Sequence, residues 1–475
     1  MANSEKSPKQ NKSEIAEELW PILFLLKCLG NCPLVKQRIE IQSISKSSRD
    51  TEIPEATAKA IVYQFYPKIS FGIVFHVILN FIFITVNILY VVNVIFRKPF
   101  IATSLQDYKN FPSFIRPKND SECINGYNTS QIELLEILFG RVGALLYQLV
   151  AFMELVFSWW TAKDFARFVN NWQFFRQNYE QQFHPYPNNA WHNIARNLRR
   201  FKKKLFIIYT AIPALFFIPV FALTSISYLH WANVAFLISS TVQIIPRSLL
   251  EDVKMLFSYK ILQLFYIEIQ KDIAVVVERD KGKVQAETIK AWGDLLDSIQ
   301  NQSTLLLRTQ STMQLTLVAF STVSTTIFIF LAVNSKAIEN DENKIYFLCL
   351  AVGFPIISIA RLYFKIISAE KLTMELIARG QLLDEGLKNC VFNFQEQNLG
   401  LFLSNVNFGF DLSDIPVKMQ ISEILSRIRH NPIKISFWNY VTLNKQLLLK
   451  ILGQILTYII VLMQVQTSFA GGCKY

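Results

Sequence analysis

The sequence predicts an all-α integral membrane protein of seven transmembrane helices, with a cytoplasmic N-terminus, an extracellular C-terminus and a cytoplasmic helical anchor region. Three observations predict it. The 475 residues are 51% hydrophobic and only 18% charged. Seven stretches reach the roughly 20 apolar residues that a hydrocarbon core requires: 69–96, 134–161, 205–228, 231–250, 313–333, 345–367 and 447–468. With the N-terminus inside, segments 1–68, 162–204, 255–312 and 369–445 hold about 34 Lys and Arg against about 8 outside, the asymmetry of the positive-inside rule. Two glycosylation sequons, Asn119 and Asn128, fall in the 97–132 loop, which this topology places outside. Sequons at Asn11 and Asn301 fall inside and go unused.

Residues 1–68 form a cytoplasmic N-terminal segment. The first eighteen are polar, and the apolar stretch from Leu19 to Leu29 is short and broken by Pro21 and Lys27. No cleavable signal is therefore expected, and the first span acts as the start-transfer signal. The element with Trp20, Leu23, Phe24 and Leu26 is too short to span and is expected to lie against the inner interface. Ser43 to Arg49 reads as a flexible link.

Residues 69–368 carry spans one to six, with cytoplasmic extensions at 162–204 and 255–312. Helical spacing continues beyond the second span through Phe165, Phe168, Val169, Trp172 and Phe175, and beyond the fourth through Phe257, Ile261, Leu264, Phe265 and Ile269. A turn at Asp280-Lys-Gly282 precedes an amphipathic run through Ile289, Trp292, Leu295, Leu296, Ile299 and Leu305. Residues 369–445 add anchor helices, among them a run from Leu372 to Val391 and a helix over 416–432 that stops at Asn431-Pro432. These apolar faces need partners, and other subunits can supply them. The cluster Arg196, Arg199, Arg200, Lys202, Lys203 and Lys204 sits before the third span, at the height of anionic headgroups.

The last span, 447–468, carries a polar stripe. Lys450, Gln454, Thr457, Val461, Gln464 and Ser468 recur at the spacing that stacks residues on one helical face, and five of the six are polar. Polar groups turned one way inside hydrocarbon must meet water, other polar groups or a permeant species. The pattern therefore reads as a pore-lining helix, followed by an extracellular tail over 469–475. Lys450, at the inner end, snorkels to the interface or pairs with a carboxylate such as Glu385. Glu154, midway along the second span, needs a partner, for which Lys254 and Arg361 are candidates.

Other classes fit less well. The net charge of +12 follows from topology, so no nucleic-acid partner is implied. The six cysteines show no CxxC spacing, so neither a metal site nor a disulfide framework is expected; a Cys123–Cys473 bridge outside is an alternative to free thiols. The five histidines are scattered, and no catalytic arrangement or cofactor motif is present, so the chain is expected to be no enzyme and to need no cofactor. Only 15 glycines, no internal repeats and no inverted-repeat signal argue against a transporter. A G-protein-coupled receptor would need its N-terminus outside.

At the C-terminus, Thr457-Tyr458, five apolar residues and Gln464 resemble the signature of the insect gustatory receptor family, Thr-Tyr, five hydrophobics and Gln-Phe. The family Phe is Val465 here. Pro21, Lys27, Gly30 and Pro33 match the spacing of a short N-terminal family element, and Phe437-Trp438-Asn439-Tyr440 resembles the family's approach to its last span.

The resemblance implies a taste receptor that is itself a ligand-gated, non-selective cation channel. It implies a homotetramer in which the last helix of each subunit lines one pore, in the plasma membrane of chemosensory neurons. By position, Val461 narrows the outer gate and Gln464 faces the conduction path. The stripe had selected the same two residues, with Thr457, Gln454 and Ser468 as further lining. The expected partners are a small-molecule tastant, permeating cations, identical or related subunits and membrane lipids. The ligand pocket is expected in the outer half of the bundle, with Arg141, Tyr147, Gln148, Tyr228, Trp231, Asn233 and Phe354 as candidates. Ile459 stands where the sugar-sensing branch has Glu, which turns the reading away from a sugar receptor without excluding one. An odorant-receptor-like subunit that needs a co-receptor is the alternative.

Overall fold

Long helices dominate because the longer apolar runs and the amphipathic stretches that continue them keep the 3.6-residue period. The computed structural model describes residues 14–42, 59–69, 71–96, 149–150, 152–183, 190–211, 245–279, 286–334, 353, 355–373, 423, 436–437 and 441–471. In order these form α1 (Glu14–Cys28), β1 (Leu34–Gln42), β2 (Lys59–Pro67), α2 (Phe71–Phe96), α3 (152–160) and α4 (Ala162–Phe183). Then come α5 (Ala190–Phe206), closed by a π-turn at Ile207–Ala211, α6 (Ile245–Arg279), α7 (Ala286–Asn334), α8 (355–373), β3 (Ser436–Phe437), β4 (Val441–Thr442) and α9 (Lys445–Gly471).

The helical runs of 162–183 and 255–269 form the core. Phe165, Phe168, Val169, Trp172 and Phe175 on α4 and Phe257, Ile261, Leu264, Phe265 and Ile269 on α6 are all buried in one cluster. Trp172 stacks on Phe265 with ring centroids 4.5 Å apart, while Phe168 and Phe175 meet Trp172 edge-on. The second amphipathic run and the fifth span, separate in the sequence reading, are one 49-residue helix, α7, which packs on α4, α6 and α9. Two described stretches are long and apolar enough to cross a membrane, Glu287–Phe330 and Lys445–Gln464.

The helical expectation holds for most of the described residues, and two small hairpins are added to it: β1 and β2 pair antiparallel from Leu34↔Pro67 to Gln42↔Lys59, and β3 and β4 form a second short hairpin. The β-branched content of both strands favours an extended chain, and Asn170 of α4 fastens β2. Its side chain accepts from the Phe65 N–H at 2.9 Å and donates to the Phe65 carbonyl at 2.8 Å. Helix α1 is also packed into its own chain. Leu19, Ile22, Leu23 and Leu26 are fully buried against α5 and α6, and only Phe24 and Leu25 are left outside as large apolar residues.

The end of α1 is geometrically exact work by glycine. Gly30 has φ +81°, its N–H reaches the Lys27 carbonyl at 3.0 Å, and the Asn31 N–H reaches Leu26 at 2.8 Å, a Schellman motif. A Cβ at Gly30 would lie 2.6 Å from the His76 ring of α2. The turn thereby delivers Asn31 into the protein interior.

Asp272 on α6 is buried, and desolvation pushes its carboxyl up to about 6. The folded chain therefore holds this proton more tightly than the unfolded chain does. Its contribution to stability is lost as pH rises from about 4 to about 6. Asp272→Asn should raise the melting temperature at pH 7.5, by an amount equivalent to roughly 1 kcal/mol after discounting for screening, and have little effect at pH 4. Thermal melts of the solubilised chain at both pH values check this; equal gains at both would remove the titration from the explanation.

Candidate functional site

Helix α9 begins with a cap that its sequence dictates. Asn444 accepts from the Leu447 N–H through its side-chain oxygen at 2.9 Å, satisfying one of the donors that a helix start leaves unpaired. From there α9 runs 27 residues, about 40 Å at 1.5 Å per residue.

Its residues divide into sectors. Ile451, Ile455 and Ile459 are buried, forming a seam against the rest of the chain. Gln454, Thr457, Val461 and Gln464 are exposed, and they lie about 140° around the helix from that seam at 100° per residue. Between them, Leu449, Leu456, Ile460 and Met463 form an exposed apolar sector. Two polar bonds of the stripe stay within the helix: Gln454 donates to the Tyr458 hydroxyl at 2.9 Å, and Thr457 to the Gly453 carbonyl at 2.9 Å. Within one chain the stripe faces outward. Ser468 falls on the same helix, and Lys450 is exposed near its N-terminal end.

A second constellation was not legible beforehand. At the junction of α3, α6, α8 and the α1–β1 turn, the described residues place Glu154, Glu251 and Asp252 among Arg247, Lys254, Arg361 and Lys365. Asp252 is fully buried and takes Arg361 at 2.7 Å and Lys365 at 2.5 Å. Arg361 also donates to the Ser248 side chain at 2.6 Å and its carbonyl at 3.1 Å. Lys254 pairs with Glu251, which accepts from Asn31 at 2.8 Å. Ser158 bonds the Asn31 carbonyl, and Arg247 reaches the Leu29 carbonyl at 2.8 Å. The cluster thus bolts the end of α1 to three helices.

The partner assignment for Glu154 changes accordingly. Lys254 and Arg361 bind Glu251 and Asp252 instead, because those carboxylates project from α6 at the same level. Glu154 lies buried in the field of Arg361 and Arg247, opposed by Glu251. The signal that could have exposed the cluster is Arg247-Ser248-x-x-Glu251-Asp252-x-Lys254, a dense polar run inside an otherwise apolar helix. Cys32 is buried beside it, and burial pushes its thiol up to about 11, so it stays protonated and inert.

The ligand candidates Arg141, Tyr147, Gln148, Tyr228, Trp231, Asn233 and Phe354 lie outside the described residues, as do Asn119, Asn128, Cys123, Cys473 and Glu385.

The fold has known counterparts. The insect olfactory receptor OR5 from Machilis hrabei is similar over 95% of this chain and 99% of its own, with TM-score 0.55 and 13% identity. The same receptor in complex with eugenol matches over 78% of this chain and 100% of its own, with TM-score 0.50 and 13% identity. At that identity the likeness establishes the fold. A search of curated protein sequences finds no match. A family model described as 7tm chemosensory receptor matches residues 134–469, more than half of the sequence and reaching through the Thr457-Tyr458 to Gln464 motif. The chain belongs to the 7tm chemosensory receptor family.

Proposed function

We propose that this chemoreceptor is a taste receptor acting as a ligand-gated, non-selective cation channel, a tetramer in which α9 from each subunit lines a shared pore. The observation that carries the reading is the outward polar stripe of α9. Gln454, Thr457, Val461 and Gln464 lie across the helix from the seam that holds it to its own subunit. A polar face directed away from its own bundle suits a central water-filled axis, and the apolar Leu449–Met463 sector suits a neighbouring subunit.

The charge asymmetry and sequons support seven spans with the N-terminus inside, and the resemblance to gustatory receptors supports a place in the plasma membrane of chemosensory neurons. Asn119 and Asn128 are the glycosylation sites of this reading. A tastant binds in the outer half of the bundle, where Arg141, Tyr147, Gln148, Tyr228, Trp231, Asn233 and Phe354 are the candidate contacts. Four Val461 side chains form an apolar constriction that resists wetting until the helices part, and Gln464 offers carbonyl oxygens to a passing cation.

Expression in oocytes under a panel of sugars, bitter compounds and other contact stimuli tests the activity. A current is expected for at least one compound; silence with every compound, alone or with a co-expressed receptor, sinks the channel. Gln464→Arg should cut cation conductance about tenfold or reverse selectivity toward anions, since it places four charges around the pore. Unchanged permeation would put Gln464 elsewhere. The likeness to OR5 favours a second reading, an odorant-type subunit, for which volatile ligands in the same recording are the discriminating stimulus.

A further inference from the structure

Helix α5 carries no acidic residue and presents one face made almost wholly of cations. Arg196, Arg200, Lys203 and Lys204 are exposed and fall within an arc of about 100° on the helix. No ion pair to these four is present among the described residues. Arg199 and Lys202, by contrast, are held by Glu18 of α1, at 2.9 Å and 2.5 Å. The apolar face of the same helix, Trp191, Ile194, Leu198 and Leu205, is buried in the core.

The stripe ends at a marker of depth. Directly after Phe206 the π-turn exposes Ile207 and Ile208, at 59% and 36% of their surfaces, beginning the third span. The change from exposed Lys to exposed Ile occurs within one turn, and it locates the boundary between headgroups and acyl chains on this face. Measured from that boundary, between Phe206 and Ile207, Lys204 lies about 4 Å back, Arg200 about 10 Å and Arg196 about 16 Å, at 1.5 Å per residue. The headgroup layer of one leaflet is roughly 5–8 Å thick. Lys203 and Lys204 therefore meet ordinary lipid phosphates, while Arg196 and Arg200 reach a level that only a headgroup projecting further into the cytoplasm occupies.

We infer that the exposed face of α5 is a binding site for an inner-leaflet lipid whose headgroup bears several phosphates, a phosphoinositide. Two arginines one turn apart offer planar forks suited to phosphate, and four unpaired cations complement a charge beyond that of phosphatidylserine. A basic amphipathic helix can also be the target of an acidic calcium-sensor protein that wraps its apolar face. Here that face is committed to the core, which leaves only the cationic side accessible. The inference shares with the channel reading only the cytoplasmic placement of α5, and its test uses binding rather than current.

The full-length chain is reconstituted in nanodiscs of phosphatidylcholine containing phosphatidylinositol bisphosphate, or phosphatidylserine at matched total charge, and lipid retained by the protein is quantified. Preferential retention of the bisphosphate lipid is expected. Arg196→Ala/Arg200→Ala should weaken it about thirtyfold, from roughly fivefold per cation, and Arg196→Lys/Arg200→Lys should recover most of it. A charge-matched control, Lys290→Ala/Arg308→Ala, should leave retention unchanged and also report on folding. Equal retention of both lipids, an equal loss in the control, binding of free inositol phosphate without the lipid, or binding of a calcium-sensor protein in place of lipid would each overturn the assignment.

Discussion

Asp252→Ala is expected to destabilise the receptor by about 3–5 kcal/mol, because it removes a buried carboxylate that is ion-paired to two cations at once. Asp252 is fully buried and Lys365 is 5% exposed, so water cannot replace the lost carboxylate at Lys365, whereas the Arg361 side chain, 21% exposed, is partly reached by solvent. Arg361 keeps its bonds to Ser248, but its charge remains. A loss of this size is a large fraction of the 5–15 kcal/mol that holds typical folds together. Solubilised protein should lose its monodisperse chromatographic peak or melt at a markedly lower temperature. Asp252→Asn should fall between, since it retains an acceptor for Arg361 without the charge. The triple variant Asp252→Leu/Arg361→Met/Lys365→Met should recover much of the loss, because replacing a whole buried ionic group by apolar residues is often near neutral. If Asp252→Ala melts like the parent, the cluster is not a structural bolt.

That cluster also shows where sequence reading reaches its limit. Apolar spacing along one helix is local, so the extensions through Trp172 and Phe265 could be read from period alone, and both residues are stacked in the core. The burial of Asp252 depends on α8 arriving 109 residues later to supply Arg361, and no local pattern carries that. The Glu154 reading was half legible for the same reason: its type announced a need for charge and Arg361 does act on it, but the second cation, Arg247, and the commitment of Lys254 to Glu251 depend on how the helices meet. The β1–β2 hairpin was missed because each strand becomes recognisable through its partner across the intervening residues 43–58, and through Asn170 on a distant helix. The α9 stripe was legible because its face and its signature lie on one continuous helix.

Val461→Ser should open the channel without ligand. In the proposed tetramer a single codon change alters four side chains of one ring, so a modest local effect is multiplied by four. Losing apolar methyl groups at about 0.8 kcal/mol per subunit gives about 3 kcal/mol around the ring, more than a hundredfold in the balance between dry and wetted states. Basal current per surface receptor should rise accordingly, and Val461→Leu should keep the pore shut while raising the agonist concentration needed. Leu456→Ser supplies the control within the same helix. Leu456 is 60% exposed, yet it lies about 140° around α9 from Val461 at 100° per residue, on the sector assigned to a neighbouring subunit. It should weaken assembly without producing a leak through a closed pore. A leak from Leu456→Ser and none from Val461→Ser would turn the helix around and place the pore on its apolar sector. The stripe would then be a set of polar contacts between subunits, and Lys450, exposed on the same face, would no longer have to coexist with passing cations.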